Sequence, residues 1–248
     1  MSHLMNNYGR LPVSFDHGQG VWLWDKEGHK YLDALAGIAV NSVGHAHPRL
    51  VRAIADQASK LIHCSNYFNI DLQEKVAEKL VEHSGLEAVF FCNSGLEANE
   101  CAIKIARKFG HAKGIEVPNI IVLKHAFHGR SIATLSATGN PSVREDFSPY
   151  TEGFIFVDES DLDGIRKIVE ENKNVVAIFF EPILGEGGVV PIDLSVIKGI
   201  REICDEHDLL MMCDEVQCGM GRSGKWFAHQ WAEIKPDVIT MAKGLAGG

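Results

Sequence analysis

Between residues 87 and 248 the apolar positions fall into two textures. EAVFFCNS, NIIVLKH, GFIFVD, NVVAIFFEP, LLMMCDEV and DVITMAK are short, nearly unbroken apolar runs with strand character. ANECAIKIARKFG, DLDGIRKIVEEN and SVIKGIREICDEH carry helical spacing instead. Strands that are apolar throughout are expected where helices cover both faces of a parallel sheet. The pattern therefore predicts an α/β domain with a mainly parallel sheet. Residues 1–86 read differently. GVWLWDKEGHKYLDAL (20–35) alternates about a turn at Lys26-Glu27-Gly28, which is a hairpin signature. HPRLVRAIADQASKLI and LQEKVAEKLVEH follow with helical periodicity. The expected organisation is an N-terminal segment over 1–86 and a larger α/β domain over 87–248.

Composition narrows the function classes. A net charge of −9 suits small-molecule chemistry and is wrong for a nucleic-acid surface, which needs a basic stripe. Runs such as VVAIFF (175–180) are too short to span a bilayer, and MSHLMNNYGR lacks the apolar core of a secretory leader. Six cysteines without a C-x-x-C pair read as reduced thiols, so a cytoplasmic location is expected. His45-Ala46-His47 has metal-like spacing, but no further ligand cluster follows. These two are read as loop histidines ahead of Pro48, and no metal is expected.

In open α/β sheets ligands collect beyond the carboxyl ends of the strands. Asp214 follows the apolar LLMMC, and a buried carboxylate there needs a partner. A helix cap or a salt bridge to Arg222 would be the ordinary explanation. Lys243 follows DVITMA, where apolar surroundings would lower its pKa and leave a neutral amine able to attack an aldehyde. The ordinary alternative is a lysine reaching out to solvent. Ser94-x-x-Glu97 is a capping box that opens a helix, with Ala98, Ala102, Ile105 and Phe109 as its expected buried stripe. The amides of Ser94, Gly95 and Leu96 would then face an anion such as a phosphate. HAFHGRS offers Phe127 as an aromatic plate and Arg130 as a fork for a carboxylate. Each piece is ordinary alone. In this order they form the set that holds pyridoxal 5'-phosphate: an anchored phosphate, a stacked ring, an acid for the ring nitrogen and a lysine for the aldehyde.

NSGLEANECAIKIAR, FHGRS, EPILGEGGV, DEVQCGMGRSGKWFA and PDVITMAKGLAGG resemble, in order, the signatures of the class III (ornithine-type) aminotransferases of fold type I. GVWLWDKEGHKYLDALAGIAVNSVGHAHP is most similar to the acetylornithine branch of that family. The resemblance implies that Lys243 forms the Schiff base and moves the proton, and that Asp214 pairs with the pyridinium nitrogen. It implies Phe127 and Val216 on the two ring faces, Gln217 near the phenolic oxygen, and Ser94, Gly95 and Leu96 on the phosphate. Arg130 would take a substrate carboxylate, with Glu181 and Glu186 flanking the site. Tyr8 and Ile38 stand at substrate-facing positions. The implied reaction passes an amino group from N-acetylornithine to 2-oxoglutarate, a step of arginine biosynthesis, in a homodimer.

Some positions depart from the family pattern. Leu96 replaces Thr or Ala and offers only its backbone amide. Leu184 stands where Gln is usual, and Ser131 where Thr is common. Ile38 replaces the Tyr of ornithine δ-aminotransferases, which argues against free ornithine as donor. Family members continue well past the lysine, so the 248-residue chain on its own is expected to be inactive or weakly active. Succinyl-diaminopimelate, ornithine and 4-aminobutyrate are the alternative donors. A cofactor-free Schiff-base enzyme and a non-catalytic relative of the same fold are the readings from other classes.

Overall fold

The computed structural model describes residues 3–248. They divide into two units, one of residues up to Tyr67 with Gly247–Gly248, the other of Phe68–Ala246. In the first unit β1 (Phe15–Gln19), β2 (Trp22–Asp25) and β3 (Lys30–Leu32) make an antiparallel sheet. The hairpin read from the sequence is β2–β3. Its turn is tied by buried Asp25, whose Oδ1 accepts the amides of Glu27 and His29 at 3.0 and 2.8 Å. The Tyr31 hydroxyl donates to Oδ2 at 2.9 Å. His45, half of the H-x-H pair, places Nε2 2.6 Å from Asp33 Oδ2. A short turn, α1 (Ala36–Ala39), has φ of 51, 64, 64 and 61° in succession. Left-handed backbone costs a side-chain-bearing residue about 1–2 kcal/mol, and only Gly37 escapes it. Ile38 lies in this turn, 51% exposed, and Tyr8 is 59% exposed. α2 (Pro48–Ala58) starts on a proline, whose missing N–H is unneeded at a helix start.

The second unit begins with α3 (Asp71–Ser84), which the expected boundary at 86/87 assigns to the N-terminal segment. Then come α4 (Gly95–Ala112), β4 (Asn119–Leu123), α5 (Ile132–Ala137), α6 (Pro141–Arg144) and β5 (Phe154–Val157). α7 (Leu162–Glu171), β6 (Val175–Phe180), the small hairpin β7 (Ile183–Leu184) and β8 (Val190–Pro191), α8 (Leu194–His207), β9 (Leu210–Asp214) and β10 (Val238–Thr240) follow. Five strands form one sheet in the order β10-β9-β6-β4-β5, every pairing parallel. Alternate residues of each strand enter opposite cores, as the pleat requires. Ile121, Leu123, Ile178 and Phe180 pack with Ile165, Ile197 and Ile200 of α7 and α8. Ile120, Val122, Ala177 and Phe179 pack with Ala102, Ile103 and Ala106 of α4. All six residues of β6 are buried, which is why its sequence shows no alternation.

Three expectations need correction. EAVFFCNS belongs to no strand among the described residues, and Phe90 is 68% exposed. Apolar content marked it as a strand, yet no neighbouring backbone pairs with it. The buried stripe of α4 is Asn99, Ala102, Ile103, Ala106 and Gly110, one position round from the expected one, and Ile105 is 41% exposed. Small residues win that face because the helix packs tightly: a Cβ at Gly110 would meet Pro118 at 2.7 Å and Val176 at 2.8 Å. DVITMAK yields a strand only to Thr240, and Lys243 opens a 3-10 turn, Lys243–Leu245.

Candidate active site

Along the chain the sheet grows from β4 to β5 on one side and from β6 to β9 and β10 on the other. Such a reversal leaves a crevice beyond the carboxyl ends of the strands where it occurs. The loops leaving β4, β6 and β10 carry Phe127, Glu181 and Lys243, and β9 ends on Asp214 with Glu215, Val216 and Gln217 in the loop beyond. The amino end of α4 lies against them. A Cβ on Gly95 would fall 2.7 Å from Val216 Cγ1 and 3.2 Å from Ala242 Cβ. Gly95 is therefore the contact that lets the helix start reach the β9 and β10 loops.

Only half of the expected capping box forms at the start of α4. Ser94 Oγ accepts the Glu97 amide at 3.2 Å, while the Glu97 carboxylate takes the Asn93 amide at 2.5 Å rather than that of Ser94. The Ala98 amide is spent on the Ser94 carbonyl at 3.0 Å. The amides of Gly95 and Leu96 have no acceptor within the helix and lie at its positive end. Leu96 is half-buried, 3.3 Å by its Cγ from where a Cβ on Gly129 would stand. Gly129 itself has φ 135°, a conformation few side-chain-bearing residues adopt.

Asp214 is buried and receives four donors. Oδ2 accepts Asn99 Nδ2 at 2.7 Å and His128 Nδ1 at 2.8 Å. Oδ1 accepts the Val216 amide at 3.0 Å and the Thr240 hydroxyl at 3.4 Å. Its side-chain partners are thus Asn99, His128 and Thr240 and not Arg222, and it caps no helix. His128 stacks on Phe179 with centroids 4.1 Å apart. The next residue, Glu215, points away and is fully buried. It accepts the amides of Ala228 and His229, both at 2.8 Å, and so pins the loop after β9.

Glu181 is also buried. Its Oε2 accepts the Phe127 amide at 2.9 Å and its Oε1 the Gly185 amide at 3.3 Å, which joins the β4 loop to the β6 loop. Burial, and then the nearby charge of Asp214, push its pKa up to about 8. Burial lowers the pKa of half-buried Lys243, against the opposing pull of Glu186, Asp214 and Glu181. Lys243 has φ 35°, a left-handed backbone of the kind held at functional sites.

The Gln217 carboxamide lies over Gly185, where a Cβ would sit 1.9 Å from Oε1. The exposed Arg130 places its guanidinium 5.4 Å from the Phe127 ring centroid, so cation and aromatic plate share one face. Glu186 is exposed, five residues beyond Glu181. Ser94, Gly95, Leu96, Phe127, Arg130, Asp214, Val216, Gln217, Glu186 and Lys243 all belong to the second unit, Tyr8 and Ile38 to the first. Asn99, His128, Thr240 and Glu215 were missed from sequence. Asn99 had a signal, a polar residue on the stripe that carries Ala102, Ile103 and Ala106.

The class-III aminotransferase family model, "Aminotransferase class-III", matches residues 4–248. The acetylornithine aminotransferase of Nitrosomonas europaea is 54% identical over 248 residues, and the chain covers 63% of that protein. The N-acetylornithine aminotransferase structure from Stenotrophomonas maltophilia superposes with a TM-score of 0.84 at 40% identity, over 97% of this chain and 61% of that one. A Toxoplasma gondii ornithine aminotransferase structure, with partial PLP occupancy at its active site, gives 0.91 at 33% identity, over 97% and 57%. The chain thus spans less than two thirds of the relatives it matches.

Proposed function

We propose, from the premise that this chain belongs to the class-III aminotransferase family, that it binds pyridoxal 5'-phosphate and serves transamination of N-acetylornithine with 2-oxoglutarate. The products are N-acetylglutamate 5-semialdehyde and glutamate, in arginine biosynthesis. One observation carries the reading: Asp214, held by donors at the end of β9, and Lys243, with lowered pKa in the turn just beyond the neighbouring strand β10, stand beside the open amides of α4. That set fits the cofactor group by group. The amides of Gly95 and Leu96, with Ser94, suit its phosphate. Asp214, accepting only, suits a ring N–H. The half-buried Phe127 and Val216 suit the ring faces, and Gln217 the phenolic oxygen.

When bound, the cofactor supplies an electron sink that acidifies the amino-bearing carbon of the donor. The chain's residues do the rest. Asp214 holds the proton on the ring nitrogen. Lys243, whose pKa burial lowers, would take the proton from the donor carbon and return it one position along. Arg130 binds a carboxylate, which both amino donor and oxo acid possess. Glu186 flanks it. Tyr8 and Ile38 are proposed as substrate contacts, and Ile38 in place of Tyr favours the acetylated donor. A cytoplasmic homodimer is the proposed setting.

A donor panel with 2-oxoglutarate tests this. N-acetylornithine should give the fastest change in the visible absorption of the loaded chain. Faster turnover of 4-aminobutyrate, ornithine or succinyl-diaminopimelate would overturn the named donor. A chain that stays colourless with excess pyridoxal phosphate would overturn the reading itself.

A further inference from the structure

The four donors on Asp214 are not equivalent. Oδ2 takes two short bonds, from Asn99 Nδ2 at 2.7 Å and His128 Nδ1 at 2.8 Å. Oδ1 takes one good bond, the Val216 amide at 3.0 Å, and one at the outer limit, the Thr240 hydroxyl at 3.4 Å. A carboxylate oxygen accepts about two strong bonds. Oδ2 is therefore full, and Oδ1 has capacity left.

The orientation of both donors is fixed by what surrounds them. Asn99 Nδ2 spends its second hydrogen on the His128 carbonyl at 2.7 Å. Turning the amide over would set its oxygen against two acceptors, so Nδ2 must face Asp214. For the same reason the proton of His128 sits on Nδ1. The cost is visible: Asn99 Oδ1 and His128 Nε2 are buried without partners. Buried polar atoms are seldom left so, and each such case calls for an explanation. Here the opposite atom of each side chain is committed to Asp214. Asn99 also lies four residues after Gly95 on α4, a rise of about 6 Å. One rigid helix thus spaces the amide cup from the acid.

We propose that Asn99 and His128 are positioning residues that saturate Asp214 Oδ2 and leave Oδ1 as the oxygen that receives the ring N–H of the cofactor. This rests on the pyridoxal phosphate reading, and two arms separate their failures. The first arm uses the chain without cofactor. Nitrogen-15 NMR should find His128 as the Nδ1–H tautomer, and an Nε2–H tautomer overturns the proposal whatever the chain binds. The second arm loads the chain with pyridoxal phosphate labelled at the ring nitrogen. His128→Asn keeps an amide nitrogen where Nδ1 stood but loses the ring on Phe179. His128→Phe keeps the ring and loses the donor. The labelled nitrogen should stay protonated in wild type and in H128N, and shift towards unprotonated pyridine in H128F, with cofactor affinity falling about ten- to hundredfold. A signal that follows the aromatic ring instead, or responds alike to both substitutions, overturns the proposal. Failure of the wild-type chain to bind the cofactor removes the functional reading and this inference with it.

Discussion

Substituting glutamine for Glu181 should abolish a pH dependence of folding that the wild-type chain carries between pH 4.5 and 8. In the folded chain burial and the Asp214 charge keep this carboxyl protonated up to about 8, whereas the unfolded chain releases the proton near 4.5. The native state therefore binds more protons than the unfolded state in that window. The stability contribution is complete below pH 4.5 and is lost as pH rises through about 8. Each pH unit removes about 1.4 kcal/mol, so the loss approaches about 5 kcal/mol. Against a typical total of about 5–15 kcal/mol this is readily measured. Glutamine matches the neutral acid in size and keeps one oxygen for an amide of Phe127 or Gly185, but sets an NH2 against the other. That costs about 1–2 kcal/mol at every pH. The two stability curves should cross: wild type is favoured at pH 5, and E181Q by about 3 kcal/mol at pH 8 and above. Urea unfolding followed by circular dichroism at pH 5, 6.5 and 8.5, at constant salt, measures the difference. A wild-type advantage that stays constant across the three pH values would refute the reasoning.

Three further outcomes follow from the geometry. Gly95→Ala places a methyl 2.7 Å from Val216 Cγ1, so the helix start must withdraw; the melt should show a loss of about 1–3 kcal/mol, and a titration weaker cofactor binding. With a thiol reagent on the native chain, the exposed Cys92 should react before Cys204, Cys213 and Cys218. Burial raises all three buried thiols, Cys204 to about 12, and they should react only on unfolding, as peptide mapping would reveal. Arg130→Gln should lower kcat/KM for carboxylate-bearing partners by about tenfold or more and leave the visible spectrum of the bound cofactor unchanged, since the donors on Asp214 are Asn99, His128, Val216 and Thr240 and not Arg130.

The parallel sheet was legible because burial on both faces erases alternation, and β6 shows it in six consecutive buried residues. Lys243 and Asp214 were legible because a charge at the end of an apolar run needs a reason. The rest depended on tertiary facts. EAVFF has the composition of a strand, but pairing is decided by a partner the local sequence does not contain. Which face of α4 is buried was decided by how closely Gly110 lets it approach Pro118 and Val176, which helical period alone leaves open. Asn99 and His128 are polar residues 29 positions apart, and only the fold brings them together, on the Asp214 carboxylate and through the bond from Asn99 to the His128 carbonyl. Lys243 sits in a 3-10 turn, not at a strand mouth, because its backbone turns left-handed three residues beyond Thr240.

The central claim is that the Lys243 amine faces the aldehyde of a pyridoxal phosphate held by Asp214 and the start of α4. Loading the chain with the cofactor, reducing it with borohydride and mapping the peptides tests this directly. One phosphopyridoxyl group is expected on the peptide that contains Lys243, and none on that peptide in Lys243→Ala. Label scattered over surface lysines, or none retained after reduction, would contradict it.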